Sequence, residues 1–240
     1  MTSDTLRQAR QEAKWTQVRL AQALDVSQAY LSLMEAGRRR VPDRVARRVA
    51  HLLRLPPTLL PLPAAGVIER LATDAKVEQG LARLGYPGFA YRRKAGETSN
   101  PAALLLAALR LGDMDSRLAE ALPWLLLKFE RWDVQTLVAE AKARDLQNRL
   151  GFTVALAREV AERNASLRHR AADLRLLEET LNPSRLARED SFGRRETSDR
   201  MRAWVSENRS DAARHWNLLT DLKPEHLPYD SDSGTLAPLP

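Results

Sequence analysis

Three consecutive arginines, Arg38, Arg39 and Arg40, follow the stretch SQAYLSLMEAG, a span of helical length that opens on a serine and closes on a glycine. A guanidinium keeps its charge at any physiological pH and presents five donors in a planar fork, so the run is suited to anionic oxygens. It does not stand alone. Residues 1 to 65 hold 11 of the 38 Lys and Arg but only 5 of the 31 Asp and Glu, so they carry +6 of the formal net charge of +7. With a sequence pI of about 10.1, the chain is expected to meet an anionic partner through its first quarter. Other chemistry is poorly provided for. The absence of cysteine excludes disulfides, thiolate metal sites and cysteine nucleophiles. No HExxH, GxxxxGK[ST] or GxSxG occurs, and His51, His169, His215 and His226 lack zinc-ligand spacing. No catalytic site, metal or cofactor is expected.

The elements that must position the arginines read as five short helices within residues 5 to 60. Helices this short are marginal in water, so they are expected to share one core. Leu6, Ala9 and Ala13 mark the first; Thr16 caps a second, with Leu20, Ala21 and Leu24 as its apolar stripe. After the turn at Asp25 and Val26, Ser27 caps a third, whose inner face carries Leu31 and Met34 and which Gly37 ends. A fourth begins near Pro42, with Val45, Val49, Leu52 and Leu53 facing inward, and a last helical turn is expected at 57 to 60.

Two short helices joined by a tight turn, the second exposed on one face and followed by basic residues, make a geometry that can enter a DNA major groove. The run TQVRLAQALDVSQAYLSLMEAGRRRVPDRVARRVAHLLRLPPTLL resembles the phage-repressor, Cro/Xre type of helix-turn-helix domain, from that family's second helix to its last. Asp25 departs from it, standing where the family often has glycine; Asp tolerates left-handed backbone better than most residues. The resemblance implies a lambda-repressor-like fold and double-stranded DNA as partner. It implies base contacts from Gln28, Ala29, Ser32 and Leu33. Glutamine suits adenine N6 and N7, while Ala29 and Leu33 offer apolar contact to a thymine methyl, which favours an A/T-containing half-site. It also implies phosphate contacts from Gln17, Tyr30, Arg38, Arg39 and Arg40, and an ion pair between Arg10 and Glu35 that joins the first helix to the third. A single such module offers too few base and phosphate contacts for tight binding, so a homodimer on a near-palindromic operator is expected.

The remaining residues are close to neutral. The expected organisation is a DNA-binding domain at 1–60, a linker at 61–66 within LPPTLLPLPAAG, a helical bundle for oligomerisation or partner binding at 67–229, and a disordered tail at 230–240. The fold class is all-α throughout. Helical patterns occupy the stretch from Gly66 to Leu84, then about 101–109, 115–129, 133–163, 166–181 and 198–220. Trp124, Trp132, Trp204 and Trp216 are candidate core or interface anchors, and residues 139–164 offer an amphipathic helix for a bundle face or a dimer. A faint resemblance to regulators paired with nucleotidyltransferase-type toxins implies a co-encoded toxin as partner and operon repression. The alternative is a pocket for a small-molecule effector. No apolar run reaches the length of a membrane span, so the protein is expected in the cytoplasm, at the nucleoid when bound to DNA.

Overall fold

The computed structural model describes residues 1–94, 96, 100–193 and 198–229. Its contacts divide into two compact units, Met1–Pro63 and Ala64–Pro240. The division falls inside the expected linker, whose last two residues are already helical. The proposed tail, 230–240, lies outside the described residues.

The first unit holds α1 (Ser3–Glu12), α2 (Gln17–Leu24), α3 (Gln28–Glu35), α4 (Asp43–Leu52) and, in place of a fifth α-helix, a single 3-10 turn at Pro57–Leu59. The first three start on a hydroxyl: Thr2, Thr16 and Ser27 accept from the backbone N–H of Thr5, Arg19 and Tyr30, each at 3.1 Å. This satisfies one of the four orphan donors that begin every helix. All four α-helices then stop in the same way, with a residue in the left-handed region: Lys14 at φ 56°, Asp25 at 58°, Gly37 at 71° and Arg54 at 50°. Beyond each stop, an N–H reaches back five residues: Trp15 to Arg10, Val26 to Ala21, Arg38 to Leu33 and Leu55 to Ala50. These reversals fold the helices onto one core of Leu6, Leu20, Ala21, Leu24, Leu31, Met34, Val41, Ala46 and Val49.

The second unit holds α5 (Ala65–Leu71), α6 (Asp74–Arg83), α7 (Pro101–Leu109), α8 (Ser116–Lys128), α9 (Val134–Lys142), α10 (Gln147–Arg163), α11 (Arg168–Leu181), α12 (Asp199–Asn208) and α13 (Asp211–His215). Two strands of two residues, β1 (Asp190–Ser191) and β2 (Leu218–Leu219), pair in parallel. Every residue of α7 is buried, and α10 is buried from Gln147 to Ala157, so α10 is a central helix of its own bundle and not a free dimer helix. Three expected continuous helices are broken: at Ala72 and Thr73, at Asp145, and at Arg209 and Ser210. Asp145 adopts φ 56° without being glycine, and Ser210 caps α13 by accepting from Ala213 N–H.

Two buried arginines close helix ends in this bundle. Arg149 donates through Nη1 to the carbonyls of Leu109 and Leu111, both at 2.8 Å, and grips the Asp190 carboxylate through Nε and Nη2. Burial would raise Asp190, yet the hydrogen bonds and charge of Arg149 hold it below the usual carboxylate range. Arg170 donates through Nη2 to the carbonyls of Leu126 and Phe129 at the end of α8. Such carbonyls have no partner inside their own helix, and cationic donors satisfy them.

Candidate nucleic-acid interface

The exposed side of α3 begins at its N-terminus. Gln28 and Ala29 are exposed, Leu33 keeps 38% of its surface in contact with solvent, and Ser32 is half-buried beside it. On the opposite side, Leu31 and Met34 have no exposed surface and fix the helix to the core. Four of the residues expected to face bases therefore share one side of one short helix.

A polar chain fixes where that side points. Arg10 donates to Glu35 through Nε at 2.7 Å and Nη2 at 2.9 Å, and its Nη1 donates to the Trp15 carbonyl at 2.9 Å. Gln17 Nε2 donates to the same Glu35 carboxylate at 2.9 Å, and Gln28 Nε2 donates to Gln17 Oε1 at 3.1 Å. An ionised carboxylate can only accept. Glu35 thus compels Gln17 to turn its nitrogen inward and its oxygen toward Gln28, and Gln28 to answer with its own nitrogen. One hydrogen of the Gln17 amide and one of the Gln28 amide stay available, together with the Gln28 oxygen. The carboxylate is well held. Burial would raise Glu35, but hydrogen bonds from Arg10 and Gln17 and the charge of Arg10 keep it below its ordinary value. The hydrogen bond to Glu35 raises Arg10 against the opposing effect of burial.

Arg38, Arg39 and Arg40 are exposed in the turn that leaves α3. The backbone of this turn is pinned, because the N–H groups of Arg38 and Arg39 both donate to the Leu33 carbonyl and that of Gly37 to Met34. Gly37 supplies the left-handed step this requires. The Arg39 guanidinium lies 5.5 Å from the Tyr30 ring centre, so the two residues are neighbours. Arg40 approaches Asp43 only at 3.9 Å, and both are well exposed.

Residues 3–62 match a helix-turn-helix domain family. They form a Cro/Xre-type helix-turn-helix domain. The match covers a quarter of the chain, and neither the curated proteins nor the solved structures contain a significant match to it. A helix-turn-helix domain of this type supports a DNA-binding, transcription-regulating function in general terms. Among the described residues, no group of three or more His, Asp or Glu is placed to hold a metal ion, and no helix is long and apolar enough to cross a membrane.

Two further residues follow Gln17 at the start of α2. Val18 is 53% exposed at the start of α2, and the Arg19 guanidinium next to it is stacked 4.2 Å above the Trp15 ring. The stacking holds a positive charge at the rim of the two-helix unit. In the sequence, only their place directly after the Thr16 cap marks them.

Proposed function

We propose that the chain is a sequence-specific repressor that places α3 in the DNA major groove. Gln28, Ala29, Ser32 and Leu33 meet base edges; Gln17, Tyr30, Arg38, Arg39 and Arg40 meet phosphates, with Arg19 as a further phosphate contact. The observation that carries this reading is the chain from Arg10 through Glu35 and Gln17 to Gln28. It leaves Gln28 with one amide hydrogen and one oxygen, the pair adenine N7 and N6 require. It leaves Gln17 with one amide hydrogen for a phosphate at the positive end of α2. Two copies on a near-palindromic operator would set their α3 helices roughly 34 Å apart. Trp204 on α12 is 49% exposed, and a half-exposed tryptophan on a helix favours a protein surface, not a small-molecule effector, as what the second unit binds.

A fluorescence-anisotropy panel of operator variants at two salt concentrations tests the assignment. Gln28→Ala is expected to weaken binding by roughly 1–3 kcal/mol and to abolish discrimination at one base pair only. Replacing Arg38, Arg39 and Arg40 with glutamine should weaken all sequences alike and flatten the salt slope by about one unit for each phosphate no longer neutralised. Uniform weakening by Gln28→Ala, or an unchanged slope in the arginine variant, overturns the corresponding assignment.

A further inference from the structure

The helix α12, DRMRAWVSEN, has Val205 as its one buried residue. Polar contacts do much of the anchoring: Arg202 and Arg209 both pair with Glu189, and Arg209 also donates to the Ser206 carbonyl. Arg200, Ala203, Trp204 and Glu207 recur at i, i+3, i+4 and i+7, which places them on one side of the helix, and all four are exposed. Trp204 keeps 49% of its surface in water, and Met201 beside it 45%. A tryptophan left half in solvent on a helical stripe, with a flexible methionine next to it, is the composition of an interface centre.

The charges on this face decide what fits it. Arg200 lies one turn before Trp204 and Glu207 nearly one turn after, and neither side chain has an ion-pair partner among the described residues. A second copy of the helix running antiparallel sets Arg200 opposite Glu207 and, by the two-fold, Glu207 opposite Arg200. The same register brings Ala203 opposite Trp204, so that a methyl side chain makes room for an indole. A parallel copy would instead oppose arginine to arginine and glutamate to glutamate. The face is thus complementary to itself under a two-fold axis, the requirement for an isologous contact.

We propose that α12 is the surface through which two copies of this chain pair. The choice of a second copy as occupant rests on the reading of the protein as a two-fold DNA binder, whereas the geometry of the face does not. An α12 pair is only about 15 Å long, short of the roughly 1,600 Å² of a standard interface, so the dimer is reversible and strengthens on an operator that holds both copies.

Sedimentation equilibrium on the full chain without DNA, across about three decades of concentration, tests this. The wild type is expected to show a concentration-dependent monomer–dimer equilibrium. Trp204→Ala should weaken it at least tenfold. Arg200→Glu and Glu207→Arg should each weaken it, because each sets like charges opposite one another. The double exchange Arg200→Glu/Glu207→Arg should recover the wild-type dimer, which a fold defect or a contact with a different partner would not. Circular dichroism checks that each variant is folded. A monomer at every concentration overturns the proposal, as does a dimer indifferent to these changes or a double exchange without recovery. Binding to a single half-site is measured in parallel. Its loss with the dimer intact refutes the DNA reading, and its persistence in a strictly monomeric protein refutes this one.

Discussion

Replacing Glu35 by glutamine keeps the shape of the side chain and removes its charge, and the expected cost follows from the donors aimed at it. Three N–H groups converge on the carboxylate, two from Arg10 and one from Gln17, at 2.7–2.9 Å. A glutamine at this position offers one oxygen to them and turns its own amide hydrogens against the rest. Breaking a buried ion pair costs roughly 3–5 kcal/mol. Arg10 retains its bond to the Trp15 carbonyl and 13% of its side-chain surface, which places Glu35→Gln near the lower end, about 3 kcal/mol. A unit of some 60 residues is stable by roughly 3–9 kcal/mol, so the change removes a large part of the total. Hydrogen–deuterium exchange of peptides from α1 to α4 in the full chain reads this unit separately from the other. Arg10→Met combined with Glu35→Leu should cost well under the sum of the two single changes, since no charge is then left unpaired. The pH dependence has a definite sign. Because the folded-state value of Glu35 is depressed, its contribution is present above the unfolded carboxylate value of about 4.3 and is lost as pH falls through the folded value. Glu35→Gln abolishes that acid sensitivity. It also removes the acceptor that orients Gln17, so discrimination at the Gln28 base pair should relax. A loss under about 1 kcal/mol, as for a surface pair, or strict additivity of the two single changes, would refute the argument.

Three further outcomes are expected from thermal or chaotrope unfolding and exchange. Asp25→Val places a β-branched residue at φ 58° and should cost roughly 1–2 kcal/mol, while Asp25→Gly should be tolerated. Ser27→Ala removes the acceptor of the Tyr30 N–H and should lower stability by about 1 kcal/mol, with faster exchange confined to the first turn of α3. Gly151→Ala pushes a methyl into the fully buried Trp216 ring and should destabilise the second unit by roughly 1–3 kcal/mol, leaving exchange in α1 to α4 unchanged.

Where the chain signals its turns with hydroxyl caps and glycine, the sequence is readable. Thr16, Ser27 and Gly37 delimit α2 and α3 as their types imply, which places Gln28, Ala29, Ser32 and Leu33 on one side before any coordinates are known. Turns made by residues that adopt the left-handed region without being glycine give no such signal. Lys14 and Arg54 end helices in the first unit, and Asp145 splits residues 133–163 into α9 and α10. The hydrogen bond between Gln17 and Gln28 was equally hidden, because it depends on Glu35, distant in sequence, presenting two acceptors to both Arg10 and Gln17. In the second unit, tryptophan composition alone did not separate Trp216, which is sealed in the bundle, from Trp204, half of which faces solvent.

Leu33 belongs to two tasks at once: its side chain is exposed on the outward side of α3, while its carbonyl holds the N–H groups of Arg38 and Arg39. The Leu33 carbonyl therefore ties the backbone of the arginine turn directly to the end of α3 that carries this exposed side chain. In the proposed complex the backbone of that turn cannot shift independently of α3, so part of the fit to a wider or narrower groove falls to the duplex. Base pairs that no side chain touches would then influence affinity through their stiffness, and flexible pyrimidine–purine steps beside the half-site would bind more tightly than rigid ones.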